Sequence, residues 1–480
     1  MVFLCLAWIV SSGAGAQTLR PYRAAIHVHS TFSSGDLSVE ELAKRAEEEG
    51  LDILVLTDQA LASLAWGVYP LRNLLRVQAE GRSVFRLGAR EYLAAAAEAS
   101  RRHPNLLLVP GIEAAAHYHF SGDLFRGDLV AHNWHRHLLV LGLSRPEDFL
   151  ALPVAGGPTL DLLRERGASA LPATVWAYLL PGAGFLVVLI GVVLMFRRGY
   201  RRALGFLAFL AFLPLTVNAL PFLKPPSDPY RGDPGIQPYQ AFIDAAVRLG
   251  GIALWAHPGS VPREQKLGPF ALETPPHLEV LLQSRGYTAF NVISGNGLVS
   301  GRQWDLVLGD YVRGRRESPV WAFGGMDVHS LRELQRPAKL SDVQTVFLLK
   351  DRTEAEVLSA LLKGRMYVLR GRGPSRLRLD EFSVVSKDRG LMALSGETVP
   401  SDHPPEIRFR ISTQDDSPAD LTVRLIRNGE VVQTFRGNPP LQAQYTDRGP
   451  PPPGKVYYRL DAEAPPTGRL ITNPIFVSRP

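Results

Sequence analysis

His27 and His29 stand two residues apart at the end of the short apolar run Ala24–Val28, and together they could hold one cation. On a strand, side chains at i and i+2 share a face, so both imidazoles would point the same way. A second apolar run, Ile53–Leu56, leads into Thr57 and Asp58, which puts a carboxylate at a matching strand end. Between the two runs, Ser38 reads as a helix N-cap, Glu41 as its capping-box partner and Gly50 as the exit. The resulting strand–helix–strand unit carries its polar groups on strand C-termini, where α/β folds place their sites.

The pattern recurs along the chain. Glu113 follows Leu106–Ile112, His137 opens Leu138–Leu141, His257 follows Ile252–Ala256, and Asp327 and His329 follow Val320–Gly325. A single His-x-His pair is often just a satisfied core or surface feature. Imidazoles and carboxylates placed repeatedly at strand ends are poorly explained as core filling, because buried charge needs a partner and a shared cation supplies one. His117, His119, His132 and His135 form a further cluster around Glu113 and His137 and read as loop residues near the site.

In order, His27-x-His29-Ser30, Leu56-Thr57-Asp58, Pro110-Gly111-Ile112-Glu113, His137, Ala256-His257-Pro258 and Gly325-Met326-Asp327-Val328-His329 resemble the motifs of the PHP family of metallohydrolases, over roughly residues 22–370. The resemblance implies an α/β fold, a distorted seven-fold (β/α) barrel with two or three metal ions at its C-terminal mouth. It implies a first metal site of His27, His29, Glu113 and Asp327, and a second of Glu113, His137 and His257. A third site would need an acidic or histidine residue near Ser34 and a histidine at Gln59, leaving only His329. A hydroxyl and a neutral amide are poor substitutes on a transition metal, so two divalent ions are expected, with zinc, manganese and iron all open. Asp58 would orient a ligand or take a proton, and His329 would serve proton transfer. The layout is most similar to the branch containing carbamate- and amide-cleaving hydrolases. That implies a small-molecule substrate with an amide, carbamate or ester bond, whereas phosphoester cleavage is the broader family expectation. A metal-stabilised binding or sensing module without catalysis is the alternative from another functional class.

The rest of the chain says where such a centre would work. Ala168–Phe196 and Ala203–Leu223 contain no charged residue, and each can cross a ~30 Å hydrocarbon core at about 1.5 Å per residue. Arg197, Arg198, Arg201 and Arg202 lie between them, which the positive-inside rule assigns to a cytoplasmic turn. The hairpin interrupts the ligand-bearing sequence, so both flanks must lie on one side of the bilayer to build one barrel. The organisation expected is a signal peptide at 1–16, barrel halves at 17–165 and 224–370, spans at 171–196 and 203–223 joined by the turn 197–202, and a β-sandwich-like domain at 371–480. The lipid bilayer is thus an expected partner, and the expected location is the plasma (inner) membrane with the catalytic part on the periplasmic or extracellular side. Cys5, the only cysteine, falls in the signal segment, so disulfide chemistry is not expected in the mature chain. The net charge of +7 is scattered, with no basic stripe interleaved with aromatics, which argues against a nucleic-acid partner. Arg313, Arg315 and Arg316 read as a solvated helix end. Beyond 371, alternating runs such as Ile407–Ile411 and Leu421–Ile426, with a hairpin signal at Asn428-Gly429, predict short strands.

Overall fold

The computed structural model describes residues 19–157, 171–220, 227–259, 265–294, 297–298, 301–330, 339–372, 376–448, 454–466 and 468–479. The expected signal peptide lies outside the described residues.

Seven strands surround the ligand residues: β1 (Arg20–Val28), β2 (Ile53–Gln59), β3 (Leu107–Ala115), β4 (His137–Leu141), β5 (Ile252–Trp255), β6 (Ala289–Ser294) and β7 (Trp321–Gly325). They pair in that succession. The two ends then meet: Met326 N donates to Ile26 O at 2.9 Å, Val328 N to His27 O at 3.2 Å and His29 N to Val328 O at 3.1 Å. The ring is not all parallel, because β4 runs antiparallel to both β3 and β5. The reason lies in the connection. A parallel return needs a crossover, usually a helix. Residues 116–136 instead form two three-residue strands and one 3-10 turn, His119–Ser121, Leu124–Arg126 and Val130–His132. The chain therefore re-enters from the end it left, and His137, the first residue of β4, lies beside the C-terminal end of β3.

Local sequence accounts for the packing helices. In α1 (Val39–Glu48), Glu41 N donates to Ser38 Oγ at 3.3 Å and Ser38 N donates to the Glu41 carboxylate at 2.8 Å, completing the capping box. The crossover helix α2 (Ala89–Arg102) buries Tyr92, Ala96 and Ala99. Between Asp58 and Glu113 the sequence reads as mostly helical; α2 is helical, but Ser63–Gly67 and Arg76–Glu80 form an antiparallel hairpin. Trp66, which the sequence places in the loop after Asp58, is a strand residue packed into a small satellite core with Leu64, Tyr118, Trp134 and Phe270.

Two apolar helices, α3 (Leu171–Met195) and α4 (Tyr200–Asn218), pack against each other. A Cβ on Gly205 would lie 2.5 Å from the Gly191 carbonyl oxygen, so this crossing requires glycine. Helix α4 begins at Tyr200 rather than 203, taking Arg201 and Arg202 into its first turn, and ends at Asn218 rather than 223. Its 19 residues make about 28 Å of helix, and among the described residues it is the one helix that is long and apolar enough to cross a bilayer. Within α3, Pro181–Met195 is a shorter apolar stretch.

Beyond the ring, the sheet continues outward. β8 (Val343–Leu349) pairs antiparallel with the first half of β1, and β9 (Met366–Arg370) pairs with β8. Of the C-terminal strands, β10 (Leu377–Ser386) and β11 (Glu406–Thr413) form one layer. β12 (Leu421–Arg427), β13 (Lys455–Ala464) and β14 (Gly468–Thr472) form the other. Phe382, Ile407, Phe409, Val423 and Leu460 fill the second apolar core. β14 also pairs with β9, Tyr367 opposite Thr472, so the expected boundary near 371 is crossed by one continuous sheet. Arg316 departs from the solvated reading. It is buried, and its guanidinium donates to the carbonyls of Leu281 and Ser284 at 2.5 and 2.9 Å.

Candidate metal centre

The strand end that carries His27 and His29 is not a regular pleat. Ile26 pairs with Val55 and Val28 with Leu56, so His27 is an extra residue in a bulge, with φ of +68°. Simple alternation would have put the two imidazoles on one face; here the bulge turns them toward a common point. Asp327 also has positive φ, +55°. Both strained residues flank the backbone contact that closes the ring, and such conformations persist only where surrounding structure holds them.

Four ligand residues meet there. His27 Nε2 lies 2.9 Å from Glu113 Oε1 and 3.3 Å from Asp327 Oδ1, and His29 Nε2 lies 3.5 Å from Glu113 Oε2 and 3.6 Å from Asp327 Oδ1. On the other side of Glu113, His137 Nδ1 is 2.7 Å and His257 Nε2 is 3.3 Å from Oε1, with 3.3 Å between the two ring nitrogens. Bonds of about 2.1 Å at tetrahedral or octahedral angles separate neighbouring ligand atoms by about 3.0–3.4 Å, so both groups have metal-site dimensions. The protein alone does not satisfy these atoms. His29 Nε2 and Glu113 Oε2 are buried with no hydrogen-bond partner, a situation costing roughly 1–3 kcal/mol per group unless something else engages them. The residues present fit two cations sharing Glu113.

Electrostatics agree with that fit. Burial pushes the Glu113 carboxyl up, but His137 and His27 outweigh it and hold the group well below the usual carboxylate range. Asp327 is likewise held well below its ordinary value, His27 and His329 overcoming its burial. Burial, reinforced by His329, lowers His29 to about 4, leaving a neutral imidazole with a free lone pair.

Asp58 is buried beside this centre without facing into it. Its oxygens accept from Ser30 N at 2.7 Å, Ser30 Oγ at 2.8 Å and Ser33 Oγ at 2.6 Å, and Ser33 Oγ lies 3.3 Å from His29 Nδ1. These bonds hold the turn after His29 and, through Ser33, the His29 ring. The His329 ring stacks on His29 with centroids 4.1 Å apart, with Nε2 2.8 Å from Asp327 Oδ1 and Nδ1 2.7 Å from Ser34 Oγ. Ser34 thus meets His329, whereas Asp36 reaches it through backbone, Asp36 N donating to His329 O at 3.1 Å. Gln59 pairs in register with Glu113 at the end of β2.

Five further histidines lie around the centre, in two groups. His117, His119 and His132 stack in a row, with centroids 6.1 and 5.0 Å apart, and His117 Nδ1 reaches Ser227 Oγ at 2.7 Å. His135 lies closer to the centre, its ring 5.4 Å from that of His137, and burial lowers it to about 3. His277, buried near His257 and also lowered by burial to about 3, was not legible in the sequence. It follows Pro275 and Pro276, four residues beyond the end of the short strand Phe270–Glu273, so no strand-end signal marks it.

Residues 25–151 match the family model of the PHP domain, a span that includes His27, His29, Asp58, Glu113 and His137 and stops short of His257 and Asp327. No curated protein matches the chain. Among solved structures, the chain is similar to a two-domain protein from Bacteroides vulgatus described as containing a PHP-like metal-dependent phosphoesterase, at 11% identity over 96% of this chain and 95% of that one, with a TM-score of 0.37. It is also similar to a structure from Bifidobacterium adolescentis described as a metal-dependent phosphoesterase, at 18% identity over 64% of this chain and 87% of that one, with a TM-score of 0.27.

Proposed function

We propose that this chain is a metal-dependent hydrolase whose PHP domain, built as a distorted seven-fold barrel, holds two divalent transition-metal ions and cleaves an amide, carbamate or ester bond. The observation that carries the reading is Glu113, a buried carboxylate with His27, His29, His137 and His257 all within 3.5 Å of its oxygens. Two ions bound there would supply hydroxide near neutral pH and polarise the bond to be cleaved. The chain's own contribution is positional. Glu113 lies between the two ligand groups, with Oε1 close to His27, His137 and His257 and Oε2 close to His29; Asp58 and Ser33 fix the His29 ring; and His329, about one-third exposed and 2.8 Å from Asp327, is placed to pass a proton to a leaving group. The match to the PHP domain favours a second reading, phosphoester cleavage. Ser34 and Gln59 weigh against it, since a third metal would have to do without imidazole and carboxylate at those positions. A panel of amide, carbamate, carboxylic-ester and phosphoester substrates, run with manganese and with zinc, separates the two. Selective turnover of phosphodiesters would overturn the first.

The reading includes tethering by α3 and α4, with the metal centre outside the cytoplasm. Two observations support it. Outward side chains such as Phe185, Leu189, Val193, Phe206 and Leu210 are exposed, a larger apolar surface than water favours. β4 and β5 pair directly although the helical hairpin separates them in sequence, which requires both hairpin ends to lie on one side. Reporter fusions at Gly199 and Pro480 should give cytoplasmic and exported signals respectively; the same compartment for both would sink the topology.

A further inference from the structure

Asn218, the last residue of α4, does not end in open space. Its Oδ1 accepts from Asn73 N at 2.8 Å, its carbonyl accepts from Asn73 Nδ2 at 2.9 Å and its Nδ2 donates to Pro70 O at 3.1 Å. The end of the helix is thereby fastened to loop 68–75, at the tip of the hairpin formed by Ser63–Gly67 and Arg76–Glu80. That loop is closed on itself, Val68 N donating to Leu75 O and both Leu74 N and Leu75 N to Leu71 O. Its composition is unusual for a surface tip. Tyr69 is 78% exposed and Leu75 55%, with Leu74 and Val77 also exposed. Arg72 lies over the rings of Tyr230 and Tyr69 at 3.8 and 5.5 Å. Leucines with Tyr and Arg gathered at one tip are the composition of a membrane–water boundary.

The same hairpin leaves the ring directly after the metal end of β2 and packs against the segment that leaves the metal end of β3 and against the segment that follows α4. Ala65 N donates to Tyr118 OH at 3.3 Å and Gly67 N to Tyr230 OH at 2.6 Å. One layer, cored by Leu64, Trp66, Tyr118 and Trp134, thus lies between the metal end of the ring and the end of α4.

We propose that loop 68–75 rests on the headgroup layer of the bilayer and that the metal-bearing end of the ring faces the membrane. This rests on the tethered reading above. Continuity decides the occupant: the exposed loop leucines adjoin a helix whose own outward surface is apolar, and a bilayer covers both, whereas a second copy or a soluble peptide would cover only the tip.

The test uses full-length protein in phosphatidylcholine nanodiscs, with Cys5→Ser as background and single cysteines introduced as Leu75→Cys, Gln59→Cys, Phe206→Cys and Met392→Cys, each carrying an environment-sensitive fluorophore. Lipids bearing a nitroxide at the headgroup should quench the labels at 75 and 59 severalfold more than the label at 392. Lipids bearing a deep nitroxide should quench the label at 206. Quenching at 206 with 75 no different from 392 would overturn the docking surface while leaving the spans standing. Quenching at 75 with 59 no different from 392 would overturn the orientation. No quenching at 206 would mean that the tethered reading itself fails, and this inference with it.

Discussion

Glu113 and Asp58 occupy the ends of adjacent strands, Asp58 opposite Ile112 and Gln59 opposite Glu113, and both carboxylates are buried. Their chemistry nevertheless diverges. Glu113 is ringed by four imidazoles and, despite its burial, is held well below its ordinary pKa by His137 and His27. Asp58 meets serine donors, and burial outweighs the hydrogen bonds from Ser33 and Ser30 to push its pKa up. Burial is common to the two, so the neighbours make the difference: lone pairs converging on Glu113 leave room for cations, whereas hydroxyl and amide protons saturate Asp58.

The largest effect should come from emptying one side of Glu113. His27→Ala with His29→Ala should remove the first metal and reduce hydrolysis to background, with metal content by mass spectrometry falling from near two per chain. Full metal content in that double variant would sink the assignment. His257→Ala tests the other side and should leave close to one metal per chain; loss of both would mean that the sites are not separable.

Asp58→Asn should leave the metal count near two and weaken metal affinity by roughly 10–100-fold, the usual effect of disturbing a group that orients a ligand. It also carries a pH signature in metal-free protein. A carboxyl with a raised folded-state pKa binds its proton more tightly when folded, so its contribution to stability declines as pH rises from the unfolded value near 4 toward the folded one. The variant should therefore lose less stability relative to wild type at pH 7 than at pH 4, read from urea midpoints. A gap that widens with pH would reverse the inferred shift.

The smallest effect lies away from the centre. His103 bonds Glu47 at 2.6 Å and Glu40 at 3.2 Å, joining α2 to α1, and its pKa is raised chiefly by the Glu47 bond. A histidine with a raised folded-state pKa contributes fully below about 6.5, and that contribution is lost as pH rises through the folded value. His103→Gln should lower the melting temperature at pH 6 by a few degrees at most and leave it unchanged at pH 9.

Strand-end residues were legible in the sequence because an apolar run that stops at a polar group specifies both an element and a direction. All six residues expected as metal ligands fall within the two clusters around Glu113. Less legible was how they come together. Period-two counting cannot see the bulge at His27, since a residue with positive φ leaves no mark on the hydrophobic pattern. The reversed direction of β4 was equally hidden, because an apolar strand reads alike both ways and only the helix-poor connection 116–136 fixes it. Asp58's serine partners and His277 sit in turns, where contacts depend on tertiary placement and not on periodicity.

The threading of the ring also sets an order of assembly. During synthesis the edge of β4 has no partner until residues 252–255 have emerged, after both hydrophobic helices, and the free edge of β1 waits for residues 326–328. The nascent first half therefore carries an open sheet edge, with His27, His29, Glu113 and His137 in place but His257 and Asp327 still missing. A chain stalled at the hairpin would expose that edge to other chains. Neither cluster around Glu113 is complete until its last member, His257 or Asp327, has been added.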